Sequence, residues 1–116
     1  MILLRESRET LTIKSKKMLE GARDQSCVNC GARDETVVAA HYQGIRSHEF
    51  GKGMGKKPQD LLVADLCRKC HSAFDNYEGS SYENRQYRRI DNSEQFLTNI
   101  MRTLLRRVEQ GIIEVK

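Results

Sequence analysis

Apolar and polar residues follow three different patterns along the chain, and each pattern predicts a different element. Residues 36–40 and 61–66 are short β-prone apolar runs, which predict two strands, the first of them ending at His41. Residues 67–77 come directly after the second run and suit a helix. Near the C terminus, apolar residues recur at helical spacing until Gly111, which predicts a second helix with an inward stripe of Leu97, Ile100, Met101, Leu104 and Val108.

Capping residues and turn formers mark where these elements begin. Ser15 predicts the N-cap of a short helix that runs to about Arg23. Asn92, with Gln95 three residues later, predicts a capping box that starts the C-terminal helix. The pattern divides the chain into an N-terminal arm (1–14), a core (15–78), and a basic linker with a C-terminal helix that packs on the core (79–116).

Composition indicates one small domain that is short of core material. The chain has 116 residues, of which 38% are hydrophobic, and it contains no Trp. Small domains of this kind often gain stability from a metal site or a partner subunit. No run of apolar residues reaches the ~18 that a membrane span needs, and the opening Met1–Leu4 run is too short for a signal peptide, so we expect a cytoplasmic protein without membrane contact. The excess of 20 Lys and Arg over 16 Asp and Glu weakly favours a polyanionic partner.

Four cysteines form two pairs with the same spacing, Cys27-x2-Cys30 and Cys67-x2-Cys70. A gap of two residues lets both thiolates of a pair bind one cation, and two such pairs complete a tetrahedral shell for structural Zn²⁺. The alternatives are four reduced core cysteines or two disulfides. A reducing compartment favours the metal.

The few histidines stand at positions where catalysis is plausible. His41 ends the first predicted strand, and its imidazole is a suitable general base. His71 follows Cys70 directly, and Asp75 lies four residues later, so both side chains share one helix face. Such a pair is half of a shell for a hydrated divalent ion, Mg²⁺ or Mn²⁺, with Ni²⁺ accepted in vitro.

This order of features resembles the ββα-metal fold of HNH nucleases. It is most similar to a family of small phage and prophage proteins described as nucleases, in which two cysteine knuckles brace the unit. The resemblance covers about residues 14–78 and rests on Val37–His41, the Gly-rich segment Gly51–Lys56, Asp60, and Cys67-x2-Cys70-His71-x3-Asp75. It implies an α+β fold: a small ββα-metal unit braced by a four-cysteine zinc site, with a short N-terminal helix and a long C-terminal helix.

The resemblance also implies roles for individual residues. His41 would take the proton from the attacking water, while His71 and Asp75 would hold the catalytic cation. Asp60 lies nearest to the position of the middle Asn of the HNH triad, where it could accept a hydrogen bond from His41 or begin the second strand as a turn residue. Ala40 stands where many family members have a further metal ligand, and His48 is a candidate for a remote one.

A long loop between the predicted strands, residues 42–60, combines glycines with cations and offers a DNA contact. A flexible solvated loop is the equal alternative. Basic residues of the C-terminal segment, including Arg102, Arg106 and Arg107, would extend the DNA track or form a solvated helix face. The candidate nucleic-acid-binding residues are Arg46, His48, Lys52, Lys56 and Lys57.

These observations predict a metal-dependent endonuclease that cuts DNA, encoded by a phage or prophage. The first alternative is a non-catalytic zinc-knuckle module that binds nucleic acid, which would need neither His41 nor the His71/Asp75 pair. A zinc-stabilised adaptor that binds proteins through its C-terminal helix is the second. The sequence leaves monomer and homodimer open.

Overall fold

The structure is a computed structural model that describes residues 13–43, 59–76 and 85–116. Within these ranges the chain forms a two-stranded antiparallel sheet and three helices, which confirms the predicted α+β class. None of these helices is both long and apolar enough to cross a membrane. In chain order the elements are α1 (Lys16–Glu20), β1 (Val38–His41), β2 (Val63–Leu66), α2 (Arg68–Asn76) and α3 (Arg85–Glu109).

The sheet is short because β1 and β2 pair over four residues each, from Val38 opposite Leu66 to His41 opposite Val63. Thr36, predicted to be in the first strand, lies outside it. Its hydroxyl donates to the Asp34 carboxylate and accepts the backbone N–H of Arg68. Thr36 therefore joins the segment before β1 to the start of α2 instead of extending the ladder.

The short helix α1 begins as the sequence predicts but ends earlier. The Ser15 hydroxyl accepts the backbone N–H of Met18 at 3.2 Å, which is the predicted N-cap. Met18 is buried, whereas Leu19 is only partly buried. The helix ends at Glu20 because the chain turns at Gly21 toward Asp24, whose φ is +61°.

The long helix α3 begins at Arg85, so the capping box predicted at Asn92 is wrong. Residues 85–92 contain no Gly or Pro, and their backbone continues the helix N-terminal to Asn92. The C-terminal end lies where predicted: Gly111 has a φ of +77° and donates its N–H to the Val108 carbonyl.

The inward face of α3 differs from the predicted apolar stripe. Ile100 is buried, but Met101 is 64% exposed and Val108 is 39% exposed. The face toward β2 carries Phe96 and Ile100 together with four buried polar residues. Those four are Ser93, Asn99, Thr103 and Arg107.

The polar part of this face is explained by Asp65, which is fully buried in the middle of β2. Arg107, also fully buried, binds both carboxylate oxygens of Asp65, and Arg106 donates to Oδ2 at 2.9 Å. Arg107 also donates to the Met18 carbonyl, and Gly21 makes room for it, since a Cβ on Gly21 would lie 2.5 Å from Arg107 Nε. Arg106 and Arg107 are therefore structural cations, and the prediction that they extend a DNA track or face solvent is wrong.

We expect Asp65→Asn to lower the free energy of unfolding by about 3–5 kcal/mol, because it leaves a buried arginine without its counter-charge. Urea unfolding of the zinc-loaded protein measures this change. Asp34→Asn is the matched control, since Asp34 is exposed and should change stability by less than about 1 kcal/mol. Equal unfolding midpoints for the two variants would contradict the importance of the buried pair.

Candidate metal centre and active site

The four cysteines come together from two places in the chain, the turn that carries Cys27 and Cys30 and the start of α2. The first pair lies on a tight turn closed by the Gly31 N–H on the Cys27 carbonyl at 2.9 Å. The second pair flanks the first turn of α2, where the His71 N–H donates to the Cys67 carbonyl. All four sulfurs lie within 4.8 Å of one another, and those of Cys30 and Cys67 are 3.7 Å apart.

This geometry suits a tetrahedral Zn²⁺ site. A Zn–S distance of about 2.3 Å in a tetrahedron places neighbouring sulfurs about 3.8 Å apart. The sulfurs are all free of disulfide bonds, which excludes the disulfide alternative in this structure. The predicted four-cysteine metal site is thus confirmed as an arrangement able to hold one ion.

The thiols of the cluster differ in their tendency to ionise. Burial raises the pKa of Cys70, and the nearby sulfurs add to the effect, bringing it to about 12. Burial also acts to raise the pKa of Cys27, but backbone N–H groups of Cys30, Cys67 and Asn29 outweigh it and bring the pKa to about 7. Four crowded thiolates therefore need a cation to neutralise them, and that cation is bound with release of protons.

Asn29 lies between the two cysteines of the first pair and donates hydrogen bonds to two of the four sulfurs. Its backbone N–H donates to Cys27 Sγ at 3.4 Å, and its Nδ2 donates to Cys70 Sγ at 3.3 Å. Its Oδ1 accepts from Asn99 Nδ2 at 3.0 Å and Gln95 Nε2 at 3.3 Å. Asn29 therefore ties the metal site to α3, a role that the sequence analysis missed and that the short polar residue between two ligands could have indicated.

His41, the predicted general base, lies at the end of β1 and is held by Asp60. The distance from His41 Nε2 to Asp60 Oδ1 is 2.8 Å, and the side chains are 11% and 15% exposed. An ionised carboxylate only accepts hydrogen bonds, so Nε2 carries the proton and donates it. In the neutral imidazole, Nδ1 is then left as the proton acceptor.

Asp60 is itself fixed by the segment before α1. Its Oδ2 accepts the Ser15 N–H at 2.8 Å, and its own N–H donates to the Ile13 carbonyl at 2.8 Å. Burial acts to raise the pKa of Asp60, but the His41 and Ser15 hydrogen bonds outweigh it and lower that pKa below its ordinary value. The pairing therefore stabilises the fold above an ordinary Asp pKa of about 3.9 and is lost only as the pH falls through the lowered value.

The second predicted pair, His71 and Asp75, shares one face of α2. The distance from His71 Nε2 to Asp75 Oδ2 is 3.5 Å, and the side chains are 35% and 42% exposed. One nitrogen and one carboxylate oxygen at this separation can both reach a cation, and the exposure leaves room for water ligands. Within residues 13–43, 59–76 and 85–116, no third His, Cys or carboxylate ligand joins them, since only the four cysteines form a larger group.

The candidate DNA contacts of the loop lie outside the part of the chain that the structure describes. They are Arg46, His48, Lys52, Lys56 and Lys57. The structure does describe two other cations that the sequence analysis did not select, Arg68 and Lys69. Both are exposed in the first turn of α2, directly before Cys70.

A comparison with solved structures finds a chain of similar fold, described as a putative bacteriophage protein from Escherichia coli K-12. It is 23% identical, with a TM-score of 0.53, and the match covers 81% of this chain and 99% of that one. No protein-family model matches the sequence, and no curated protein matches it either. The likeness shows a shared fold.

Proposed function

We propose that this protein is a divalent-metal-dependent endonuclease of the HNH type that hydrolyses DNA phosphodiester bonds. The observation that carries the proposal is the 2.8 Å hydrogen bond from His41 to Asp60 at the end of β1. It gives the imidazole one orientation and one tautomer, which a purely structural zinc module does not need. The helix α2 carries the second element of the chemistry, the His71/Asp75 pair.

In this mechanism His41 Nδ1 accepts a proton from the water that attacks the phosphorus atom. Asp60 stabilises the imidazolium that forms, because its carboxylate already accepts the opposite N–H. The bond between phosphorus and the 3′ oxygen breaks, and that oxygen leaves with a proton from solvent, giving a 3′-hydroxyl and a 5′-phosphate. Mg²⁺ or Mn²⁺ held by His71 Nε2 and an Asp75 oxygen would polarise the phosphate and stabilise the charge on the leaving oxygen.

The zinc cluster supports this chemistry through its position in the chain. Cys67 and Cys70 flank the start of α2, and His71 follows immediately. A closed shell of four thiolates has no open coordination position, so it stabilises the helix and does not react. The four-cysteine site therefore fixes the position of α2, the helix that carries His71 and Asp75.

The fold of the neighbouring structure supports a phage origin. That neighbour is described as a putative bacteriophage protein, and the match extends over 99% of its length. We propose that this chain is likewise encoded by a phage or prophage and acts on DNA in the cytoplasm of the bacterial host.

A plasmid-nicking assay tests the proposal. The zinc-loaded protein, freed of other divalent ions, should convert supercoiled plasmid to nicked and linear forms only when Mg²⁺, Mn²⁺ or Ni²⁺ is added. Binding of plasmid without cleavage in any of these metals would favour the zinc-knuckle binding module instead.

We expect Asp75→Ala to raise the metal concentration that gives half-maximal nicking by at least about tenfold, because one of two protein ligands is lost. The variant should keep its zinc and its melting temperature, since Asp75 is exposed on α2. Asp91→Ala is the matched control, an exposed carboxylate on α3 whose removal should leave the metal titration unchanged. Identical titrations for both variants would remove Asp75 from the metal site.

A further inference from the structure

Three adjoining depressions lie along α2 between the His71/Asp75 pair and the four cysteines, and neighbouring ones share lining residues. We call this row of depressions the groove. The depression at His71 and Asp75 shares Thr36, Arg68 and Ser72 with the next one. That middle depression shares Asp34 and Lys69 with the third, which reaches the cysteines. A ligand bound at the candidate metal pair can therefore continue along this path.

The middle of the groove carries two available cations. Arg68 and Lys69 are exposed there, and neither forms an ion pair with another residue in the described ranges. Asp34, the carboxylate that lines the middle depression with them, accepts the backbone N–H and the hydroxyl of Thr36 at 3.0 and 2.6 Å. Two free cations beside a hydrogen-bonded carboxylate suit the phosphates of a nucleic-acid strand.

The far end of the groove is an open cavity of ≈ 560 Å³, a volume that includes the space beside the sulfurs of Cys30, Cys67 and Cys70, and Phe74 lines another side. The Phe74 ring is fixed by Phe96, whose ring centroid is 5.2 Å away. The amides of Asn92 and Gln95 line the same cavity, and that of Asn92 makes no hydrogen bond to the described part of the chain. The Gln95 amide already donates to Asn29 Oδ1 at 3.3 Å, so its oxygen and the Asn92 amide are the polar groups offered beside the ring. An aromatic ring next to such groups suits a flat, hydrogen-bonding ligand.

We propose that this cavity receives an unpaired base of the DNA strand whose phosphates lie along Arg68 and Lys69. The inference rests on the proposed function and names its substrate class: DNA with an unpaired nucleotide next to the cleaved bond. A base within a duplex is stacked and paired, so its faces cannot reach Phe74. An unpaired base can place one face on the ring and its polar edge on Asn92 and Gln95.

Fluorescence anisotropy with three labelled DNAs tests the proposal: a 30-bp duplex, the same duplex with one central unpaired adenine, and the 30-nucleotide single strand. Measurements in Ca²⁺ and zinc separate binding from cleavage. We expect the DNAs with unpaired bases to bind about tenfold more tightly than the duplex, in keeping with the usual contribution of one base stacked on an aromatic side chain. Equal affinity for all three, in a protein that nicks plasmid, would overturn the inference and leave the proposed function standing. Failure to bind or cut any DNA would overturn both.

Three variants separate base recognition from charge. Phe74→Leu keeps an apolar side chain against Phe96 and should reduce the preference for unpaired DNA from about tenfold to twofold or less. Asn92→Ala, a change on the helix surface that should not disturb folding, should reduce the preference about threefold while leaving duplex affinity unchanged. Arg68→Gln should weaken binding to all three DNAs alike, and Arg23→Gln is its matched control, an exposed arginine outside the groove. An unchanged preference in Asn92→Ala and in folded Phe74→Leu would show that the cavity does not receive a base.

Discussion

Removal of the zinc ion is expected to unfold the protein. Structural Zn²⁺ bound to cysteine peptides contributes about 10–16 kcal/mol at neutral pH, which matches or exceeds the whole stability of about 5–15 kcal/mol of a typical domain. The four sulfurs join the first cysteine turn to α2, and the described sheet between them has only two short strands. Without the cation, Cys70 takes up a proton because its pKa is raised to about 12, and no ion connects the four sulfurs. A chelator should therefore abolish the helical circular dichroism signal, and returning zinc should restore it.

Cys67→Ser should have the same effect without a chelator, because it removes one ligand of a closed shell. Zinc content and circular dichroism, measured on the same sample, should fall together. Ala73→Ser is the matched control, since it places a hydroxyl on α2 near the site without changing a ligand. A protein that keeps its melting temperature after verified loss of zinc would show that the cysteines are ordinary core residues.

The cysteine cluster was predictable because its geometry is encoded locally. A two-residue gap between cysteines fixes the direction of both thiolates within one turn, and two such turns need only to meet. The end of β1 at His41 and the end of α3 before Gly111 were also predicted from neighbouring residues. These predictions succeeded because a few neighbouring residues determine the backbone there, whereas the local capping signal at Asn92 failed because the helix continues N-terminal to it.

The buried face of α3 could not be predicted from apolar periodicity alone. The stripe of apolar residues pointed to Met101 and Val108, but burial is decided by what β2 presents to the helix. Asp65 in the middle of an apolar run was the available signal, because a carboxylate in a buried strand needs a cationic partner. Phe96, Ile100, Thr103 and Arg107 recur at helical spacing, so Arg107 could have been chosen as that partner.

The contacts of Asp60 are with residues far away in the sequence, so no local sequence pattern predicts them. Its carboxylate joins His41, 19 residues earlier, and Ser15, 45 residues earlier. The resemblance to HNH nucleases directed attention to Asp60, while its pairing with the backbone before α1 came only from the fold. The groove between the first cysteine pair, α2 and α3 is likewise a product of packing, which explains why the sequence did not indicate Arg68, Phe74 and Asn92 as ligand-binding residues.

His41→Ala is expected to lower the rate of DNA nicking by about 10²–10⁴-fold, the usual contribution of a general base. The variant should retain one zinc per chain, because His41 is separate from the four sulfurs. It should also bind DNA with the parent affinity, since the groove cations remain in place. The measurement is a single-turnover nicking rate at saturating Mn²⁺.

A metal titration of the same variant distinguishes a base from a ligand. His41→Ala should reach half-maximal activity at the parent's Mn²⁺ concentration, whereas Asp75→Ala should need at least about tenfold more. Asp60→Asn should behave like His41→Ala in the titration, because it disturbs the proton on Nε2 and leaves the metal pair unchanged. Nicking by His41→Ala at the parent rate would remove the imidazole from the mechanism and leave the zinc-knuckle binding module as the better account of this fold.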